Sequence, residues 1–519
     1  MSTKIDYTAT ALEPAADRAF EEGVAHVRAT RPEHRLLIGG AWVPGGDGRT
    51  FLEANPADTG EILGSFAEAT AADVQAAVAA ARRAQPAWRA TPVEDRIAVL
   101  QRVAALLGAR AGEVAATATL EVGKNRLESM GEVDEAVALI DFYAQQAAAG
   151  FDIPLATADP GGQENRSVMR PFGVFGVIAP FNFPLALVLG PAVAALLTGN
   201  TVVVKPSPTT SAIAILFAEL LLEAGLPDGA LNLVTGGDEA GRALVASAID
   251  GIVFTGSYDV GQAITRSFTT AVGYARPSII EMGGKNPAIV TAHADLGRAA
   301  AGIARSAFGL SGQKCSACSR VLVSDGVHDA FLEALVAQAR EWTVGDPVDA
   351  GSRLGPVHTA ASRERFVASV AAAVRDGEVV VGGGLPAGGG LERGLYVEPT
   401  VVAGLPAGHA LIREELFVPL VVVERVTSLD EALARANDQL FGLTAGMFSE
   451  EPEEVERFLE TIEAGTLFVN RAAGATTGGW PGQQTYPGWK GSGSTNRGGL
   501  GPRYVQQFLR EQGRNVVVR

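Results

Sequence analysis

The chain of 519 residues holds two cysteines, both within Gly312-Gln313-Lys314-Cys315-Ser316-Ala317-Cys318. A cysteine attacks carbon only as a thiolate, which forms where a helix N-terminus, free backbone N–H groups or a cation favour negative charge. The Gly-Gln-Lys run ahead of Cys315 supplies a tight turn with such N–H groups, so Cys315 is the candidate nucleophile. A buried, inert thiol is the competing reading of the same residues, and Cys315-x-x-Cys318 as a redox pair is a third. Zinc takes four ligands, and His26, His34, His293, His328, His358 and His409 are scattered without ligand spacing, so no metal is expected. Upstream, Ser278-Ile-Ile-Glu281-Met-Gly-Gly-Lys285 reads as a strand ending in an acid and two glycines. Glu281 is there either a general base or a solvated loop acid. Lys205 ends another apolar strand, and a lysine is rarely buried without a partner; an anionic or polyhydroxyl ligand is one such partner. Thr255-Gly256-Ser257 opens a helix after a strand, which seats a phosphate on free N–H groups or is an ordinary turn.

These residues need a scaffold, and from residue 174 the chain alternates strand and helix, the signature of a parallel α/β sheet. Strands are expected over 174–178, 201–204, 231–234 and 251–254, with helices over 185–197, 210–224, 239–248 and 260–268. Ligands gather at the carboxyl ends of such strands, where Asn182, Lys205, Gly236-Gly237 and Thr255-Gly256-Ser257 all fall. A second alternating region spans 320–465, with helices near 330–340, 362–375, 429–436 and 452–462. The cysteines lie between an apolar segment, 299–310, and a strand, 320–324. Ahead of the first sheet come a helical extension (1–32), a short hairpin (36–43 with 50–51) and helices over 72–84, 93–107, 114–120 and 131–148. Residues 477–489 are glycine-rich but too aromatic for a linker; an ordered loop lining a pocket or interface is expected.

Hydrophobic residues make up 47% of the chain and charged residues 19%, with mean hydropathy +0.17, so a folded protein with a large interior is expected. A net charge of −16 argues against nucleic acid or an anionic membrane as partner. Residues 171–204 carry no charge, but Pro180, Pro184 and Pro191 break them, so a spanning helix is not expected. Residues 1–20 show no apolar core behind a basic start, hence no secretory signal. Both cysteines standing in one heptapeptide fits a reducing, cytoplasmic setting.

Six segments in order, Pro180-Phe-Asn-Phe-Pro184, Lys205-Pro-Ser207, Phe254-Thr-Gly-Ser257, Glu281-Met-Gly-Gly-Lys285, Gly312-Gln-Lys-Cys315 and Glu414-Glu-Leu-Phe417, resemble the NAD(P)-dependent aldehyde dehydrogenase superfamily. The likeness runs over roughly residues 36–509. Within the superfamily, the N-terminal extension, Gly312-Gln-Lys-Cys-Ser-Ala-Cys-Ser-Arg320 and Thr477-Gly-Gly with Gln483-Gln484 are most similar to the L-glutamate-γ-semialdehyde (1-pyrroline-5-carboxylate) dehydrogenases of proline catabolism. The resemblance implies an α/β fold of two Rossmann-like parallel-sheet domains and a small element that pairs subunits into a homo-oligomer. On that reading residues 1–148 and 168–284 form the cofactor-binding domain, 285–475 the catalytic domain, and 149–167 with 476–519 the oligomerisation and anchor-loop element. It also implies NAD, with NADP possible, and a small aldehyde as substrate. Carried over by motif, Cys315 is the nucleophile, Glu281 the base and Asn182 the oxyanion donor. Lys205 contacts the adenine ribose, Ser257 the pyrophosphate, and Glu415 with Phe417 the nicotinamide ribose and ring, with Ser207 also in the cofactor site. Ser316, Gly478 and Gly479 hold the substrate carboxylate.

Three departures qualify the likeness. Pro208 stands where NAD-preferring members carry a glutamate, Val418 replaces the glycine of Glu-x-Phe-Gly-Pro, and Gln484-Thr-Tyr-Pro-Gly-Trp489 differs from the usual Pro-Phe-Gly-Gly. Two alternatives stay open: a pocket for an apolar or aromatic aldehyde lined by Trp480 and Trp489, and a catalytically silent nucleotide-binding relative with the cysteines as redox sensor. A CoA-acylating relative is disfavoured because those generally lack the base that Glu281 provides.

Overall fold

Val174-Phe-Gly-Val-Ile178, Thr201-Val-Val-Val-Lys205 and Gly251-Ile-Val-Phe-Thr255 are apolar without alternation, as strands covered on both faces must be, and each forms a strand that is buried almost throughout. The computed structural model describes residues 9, 11–30, 33–155, 163–270 and 272–517. Within them the first seven-stranded sheet runs in the order Ser278–Glu281, Gly251–Thr255, Val174–Ile178, Thr201–Lys205, Leu231–Leu233, Leu36–Ile38, Ala41–Val43. Its first five strands are parallel and the last two antiparallel. The uncharged stretch 171–204 becomes strand, helix Ala186–Leu197 and strand, with the helix buried along nearly its whole length. Among the described residues no single helix is long and apolar enough to cross a membrane; a bent pair, Val93–Ala109 with Ala111–Val122, passes by composition, but its apolar side chains fill the first core.

The second sheet, Glu378–Val381, Thr400–Ala403, Leu420–Val426, Cys318–Ser324, Asn286–Val290, Thr444–Phe448, Thr466–Val469, is parallel except for its first strand. Helix Leu296–Phe308 covers one face and delivers the chain to the cysteine turn. A third sheet joins Leu509–Val517, Gln163–Pro171 and Ile153–Leu155, all antiparallel. Between the second sheet and this last strand, the C-terminal segment crosses back to the first sheet: Met282 N–H donates to the Ser492 carbonyl (2.8 Å), Ser494 N–H to that of Ile280 (3.0 Å), and Val505 and Phe508 enter the first core. Glu281 is thereby held between its own sheet and the C-terminal segment.

The expected helices appear with their ends displaced by up to six residues, the largest shift at Ala71–Ala90. The front end differs more. Residues 36–43 form their own hairpin, while Thr50–Asn55 pairs with Asp58–Ala67, a strand that the polar opening Asp58-Thr-Gly-Glu hides from a hydrophobic pattern. The expected N-terminal helix spans Pro14–Thr30 and meets Ala111–Val122 so closely that a Cβ on Gly23 would lie 2.3 Å from the Gly112 carbonyl oxygen. Residues 1–8, 10 and 31–32 of that extension, and 156–162 and 518–519 of the expected oligomerisation element, lie outside the described residues.

Candidate active site

Helix Leu296–Phe308 does not run into Cys315 directly. Leu310 (φ 51°), Ser311 (φ 53°) and Gly312 (φ 69°) take three successive left-handed conformations, and each non-glycine residue there costs roughly 1–2 kcal/mol. The turn is held from several sides. Gln313 donates from backbone N–H and side-chain amide to the Leu310 carbonyl (3.0 and 3.2 Å), and its side-chain oxygen accepts from His358 N–H (2.8 Å). The Ser311 hydroxyl donates to the Gly355 carbonyl (2.7 Å). A Cβ on Gly312 would lie 2.3 Å from the Val418 carbonyl oxygen, so only glycine fits. Glu128, in the first turn of helix Arg126–Ala149, bridges the two arms of the turn: it accepts from Leu310 N–H (3.1 Å) and from the Lys314 ammonium (2.7 Å). The lysine beside Cys315 therefore spends its charge on Glu128 rather than on the thiol.

On the far side, Asn286 opens strand Asn286–Val290 and is buried. Its amide donates to the carbonyls of Cys315 (2.8 Å) and Ala317 (3.0 Å), while its oxygen accepts from Thr444 N–H (3.0 Å). Gly284 lets this happen, because a Cβ there would meet the Cys315 carbonyl oxygen at 2.4 Å. Asn182, past the end of strand Val174–Ile178 and buried, donates one amide proton to the Gln313 carbonyl (2.9 Å).

The charges around the thiol are all unfavourable to its ionisation. Burial, then the carboxyls of Glu415 and Glu281, push the Cys315 thiol up to about 12, opposed by the Ser316 N–H. The backbone N–H groups expected to favour thiolate act in that direction, but in the free protein burial and the two acids outweigh them. Burial alone raises Glu281 well above the usual carboxylate range. Burial raises Glu415 to about 7 against the Gly284 N–H, which donates to it (2.9 Å), and the nearby Lys285. Cys318 is buried in the second core, its thiol directed to the Arg320 carbonyl (3.6 Å), and both cysteines are free.

A cavity of about 430 Å³ has Cys315, Glu281, Ser316, Gly478 and Gly479 in its wall, together with Phe183, Tyr143, Trp342, Tyr486 and Tyr504. Neither Trp480 nor Trp489 lines it, and Trp489 is 42% exposed; the aromatic pocket expected of those two tryptophans is not formed. The Ser316 hydroxyl lies beside the Tyr486 phenol, and a Cβ on Gly479 would meet the Tyr486 ring at 2.4 Å. Arg471 grips the loop from behind, donating to the carbonyls of Thr477 (2.7 Å) and Gly478 (2.8 Å).

The remaining predicted residues lie outside the cavity wall. Lys205 ends its strand buried, with its ammonium donating to the carbonyls of Pro206 (2.9 Å) and Gly236 (3.0 Å); burial lowers it to about 8. Ser207 bonds Thr209 (2.9 Å), and Ser257 is exposed ahead of helix Tyr258–Thr270. Phe417 (φ 57°) stands edge-on to Phe181, which stacks on His358 at 4.0 Å. Val418 turns its side chain into a buried cluster with Leu411 and Leu416, so the departure from glycine is absorbed in the core.

Asn286, Glu128, Tyr486 and Arg471 escape a sequence reading. Asn286 alone left a signal, as a polar residue opening an apolar strand directly after Gly-Gly-Lys285; the others act through partners far along the chain.

A family model described as the aldehyde dehydrogenase family matches residues 42–512. The 1-pyrroline-5-carboxylate dehydrogenase of Bacillus cytotoxicus is 36% identical over 494 residues, 94% of each chain. The 1-pyrroline-5-carboxylate dehydrogenase from Thermus, solved with bound NAD, superposes with a TM-score of 0.93 at 34% identity, covering 100% of this chain and 99% of its own. Proline utilization A from Bdellovibrio bacteriovorus gives a TM-score of 0.92 at 33% identity over 97% of this chain; the chain spans about half of that protein, 52%.

Proposed function

The chain belongs to the aldehyde dehydrogenase family, and from that premise we propose that it oxidises L-glutamate γ-semialdehyde to glutamate with NAD, through a thioester on Cys315. The observation that carries this reading is the common cavity of Cys315, Glu281, Ser316, Gly478 and Gly479, which joins nucleophile, base and carboxylate-binding groups from segments nearly two hundred residues apart (281 to 479).

The residues fit the cofactor. An ammonium has three protons, and two of those on Lys205 go to carbonyls, leaving one for a ribose hydroxyl. Ser257 precedes a helix N-terminus that suits a pyrophosphate, and the Glu415 carboxyl and Phe417 ring would hold the nicotinamide riboside. NAD, when bound, supplies the hydride acceptor. With Pro208 in place of an acid, repulsion of a 2′-phosphate from that position is removed, so measurable use of NADP accompanies NAD. Domain roles follow: residues 1–148 and 168–284 bind the cofactor, 285–475 carry the nucleophile. The two opposite edge strands of the third sheet, Leu509–Val517 and Ile153–Leu155, expose Val516 and Val517 on one and Ile153 and Leu155 on the other, apolar edges of the kind that pair subunits.

Cys315 must first give up to water a proton that the free protein holds tightly. Its sulfur then attacks the aldehyde carbon, and the carbonyl oxygen becomes an oxyanion. Asn182 has two amide protons; Gln313 takes one and fixes the amide plane, so the second, with the Cys315 N–H, is available to the oxyanion. One such donor contributes about 3–4 kcal/mol. Loss of hydride leaves the thioester. Glu281 takes a proton from water, the hydroxide attacks the thioester carbon, and the acid departs as the Cys315 sulfur is released. A carboxyl raised by burial is the stronger base for this step.

Ser316 and the N–H groups of Gly478 and Gly479 receive the substrate's α-carboxylate at the far end. An uncharged aldehyde leaves those donors unpaired, at a cost on the order of 1–3 kcal/mol or more. The test is kcat/KM with NAD for glutamate semialdehyde against pentanal and benzaldehyde. A preference of at least tenfold for the semialdehyde is expected; equal or better use of the uncharged aldehydes overturns the substrate assignment.

A further inference from the structure

Arg471 lies two residues beyond strand Thr466–Val469, outside the cavity wall, with its guanidinium 5.0 Å over the Phe468 ring. One terminal nitrogen donates to the Thr477 carbonyl (2.7 Å), the other to the Gly478 carbonyl (2.8 Å). A trans peptide is planar, with its C=O and N–H pointing in opposite directions. The Thr477 carbonyl shares its peptide with the Gly478 N–H, and the Gly478 carbonyl with the Gly479 N–H. Drawing both carbonyls to one guanidinium therefore turns both N–H groups away from it. Gly478 and Gly479 both line the cavity, and N–H groups turned from Arg471 are left to serve it.

Glycine is needed at both positions. Gly478 has φ 88°, and a Cβ there would lie 3.1 Å from an Arg471 nitrogen; a Cβ on Gly479 would strike Tyr486. The rigid fork of arginine suits two carbonyls at once, whereas lysine offers one compact charge. We propose that Arg471 is the positioning residue that sets specificity for a carboxylate-bearing aldehyde, by fixing two consecutive peptide units with their N–H groups facing the cavity. This rests on the substrate reading above and adds the group that enforces it.

The test compares the wild type with Arg471→Lys and Arg471→Ala, using glutamate semialdehyde and pentanal with NAD, and the binding of glutarate, a dicarboxylate that needs no turnover. Arg471→Ala is expected to lower the semialdehyde-to-pentanal ratio of kcat/KM by 10- to 100-fold through the KM for the semialdehyde, with kcat on pentanal within threefold of wild type. Arg471→Lys should fall between, and glutarate binding should weaken in the same order. An unchanged ratio, or equal loss on both aldehydes in Arg471→Lys with unchanged glutarate binding, overturns the proposal. A wild type without preference for the semialdehyde overturns the substrate reading instead, so the two failures are distinguishable. If Arg471→Ala does not fold, the lysine variant and its glutarate affinity decide.

Discussion

Asn286→Ala removes the only side chain among the described residues that ties both the Cys315 and Ala317 carbonyls to the second sheet. The residue is 2% exposed, and its loss strands two carbonyls and the Thr444 N–H. Each buried group left without a partner costs about 1–3 kcal/mol, so at least about 3 kcal/mol is at stake. Part of that returns if water enters: a void of about 10 Å³ with Asn286 and Thr444 in its wall borders the side chain, near the lower limit for one water. With an unfolding entropy of about 2 cal/mol/K per residue, 3 kcal/mol lowers the melting temperature by only about 3 °C. Activity should suffer more. The freed turn carries Cys315, and a shift of the order of 1 Å costs about a hundredfold in rate. Asn286→Asp sharpens the comparison, because it keeps the shape but trades the two N–H donors for oxygens that repel the carbonyls. The assay is kcat on a good aldehyde with a melting curve for each variant. Both variants should stay folded and lose about a hundredfold in kcat. An Asn286→Asp enzyme within threefold of wild type would refute the reasoning.

Two further predictions concern the thiols. With Cys315 raised from the ordinary 9.0 to about 12 in the free protein, its thiolate fraction at pH 8 falls about a thousandfold, and the higher nucleophilicity of a more basic thiolate recovers only part of this. Iodoacetamide should alkylate it about 30-fold more slowly than an ordinary cysteine, with a rate that keeps rising toward pH 12; a plateau below pH 9 contradicts the geometry. Cys318→Ser should keep kcat within threefold while costing about 1–3 kcal/mol of stability, since Cys318 packs in the second core. Inactivation equal to that of Cys315→Ala would restore the redox-pair reading.

Much of this was legible in the sequence because strongly buried strands announce themselves. The run Thr201-Val-Val-Val-Lys205 can only be a covered strand, and Glu281 and Lys205 stand where such strands end. Strand Asp58–Ala67 was not legible, because its opening is polar and its partner, not its pattern, stabilises it. The electrostatics of Cys315 were also hidden. Lys314 stands beside the sulfur in the sequence, and only the fold brings Glu128, distant in sequence, to within 2.7 Å of its ammonium. Likewise nothing in Asn470-Arg471 signals that the guanidinium will close on the Thr477 and Gly478 carbonyls; that contact exists only once the loop has folded back.

The thioester route is tested most directly by Glu281→Gln. Buried, uncharged and of the same shape, the glutamine cannot take a proton from water, so the enzyme should release one burst of about one reduced cofactor per active site and then stall. Mass spectrometry of the stalled protein should find the acyl group on the peptide that contains Cys315. Steady turnover without a burst, or an acyl group on any other residue, would contradict the assignment of Cys315 and Glu281.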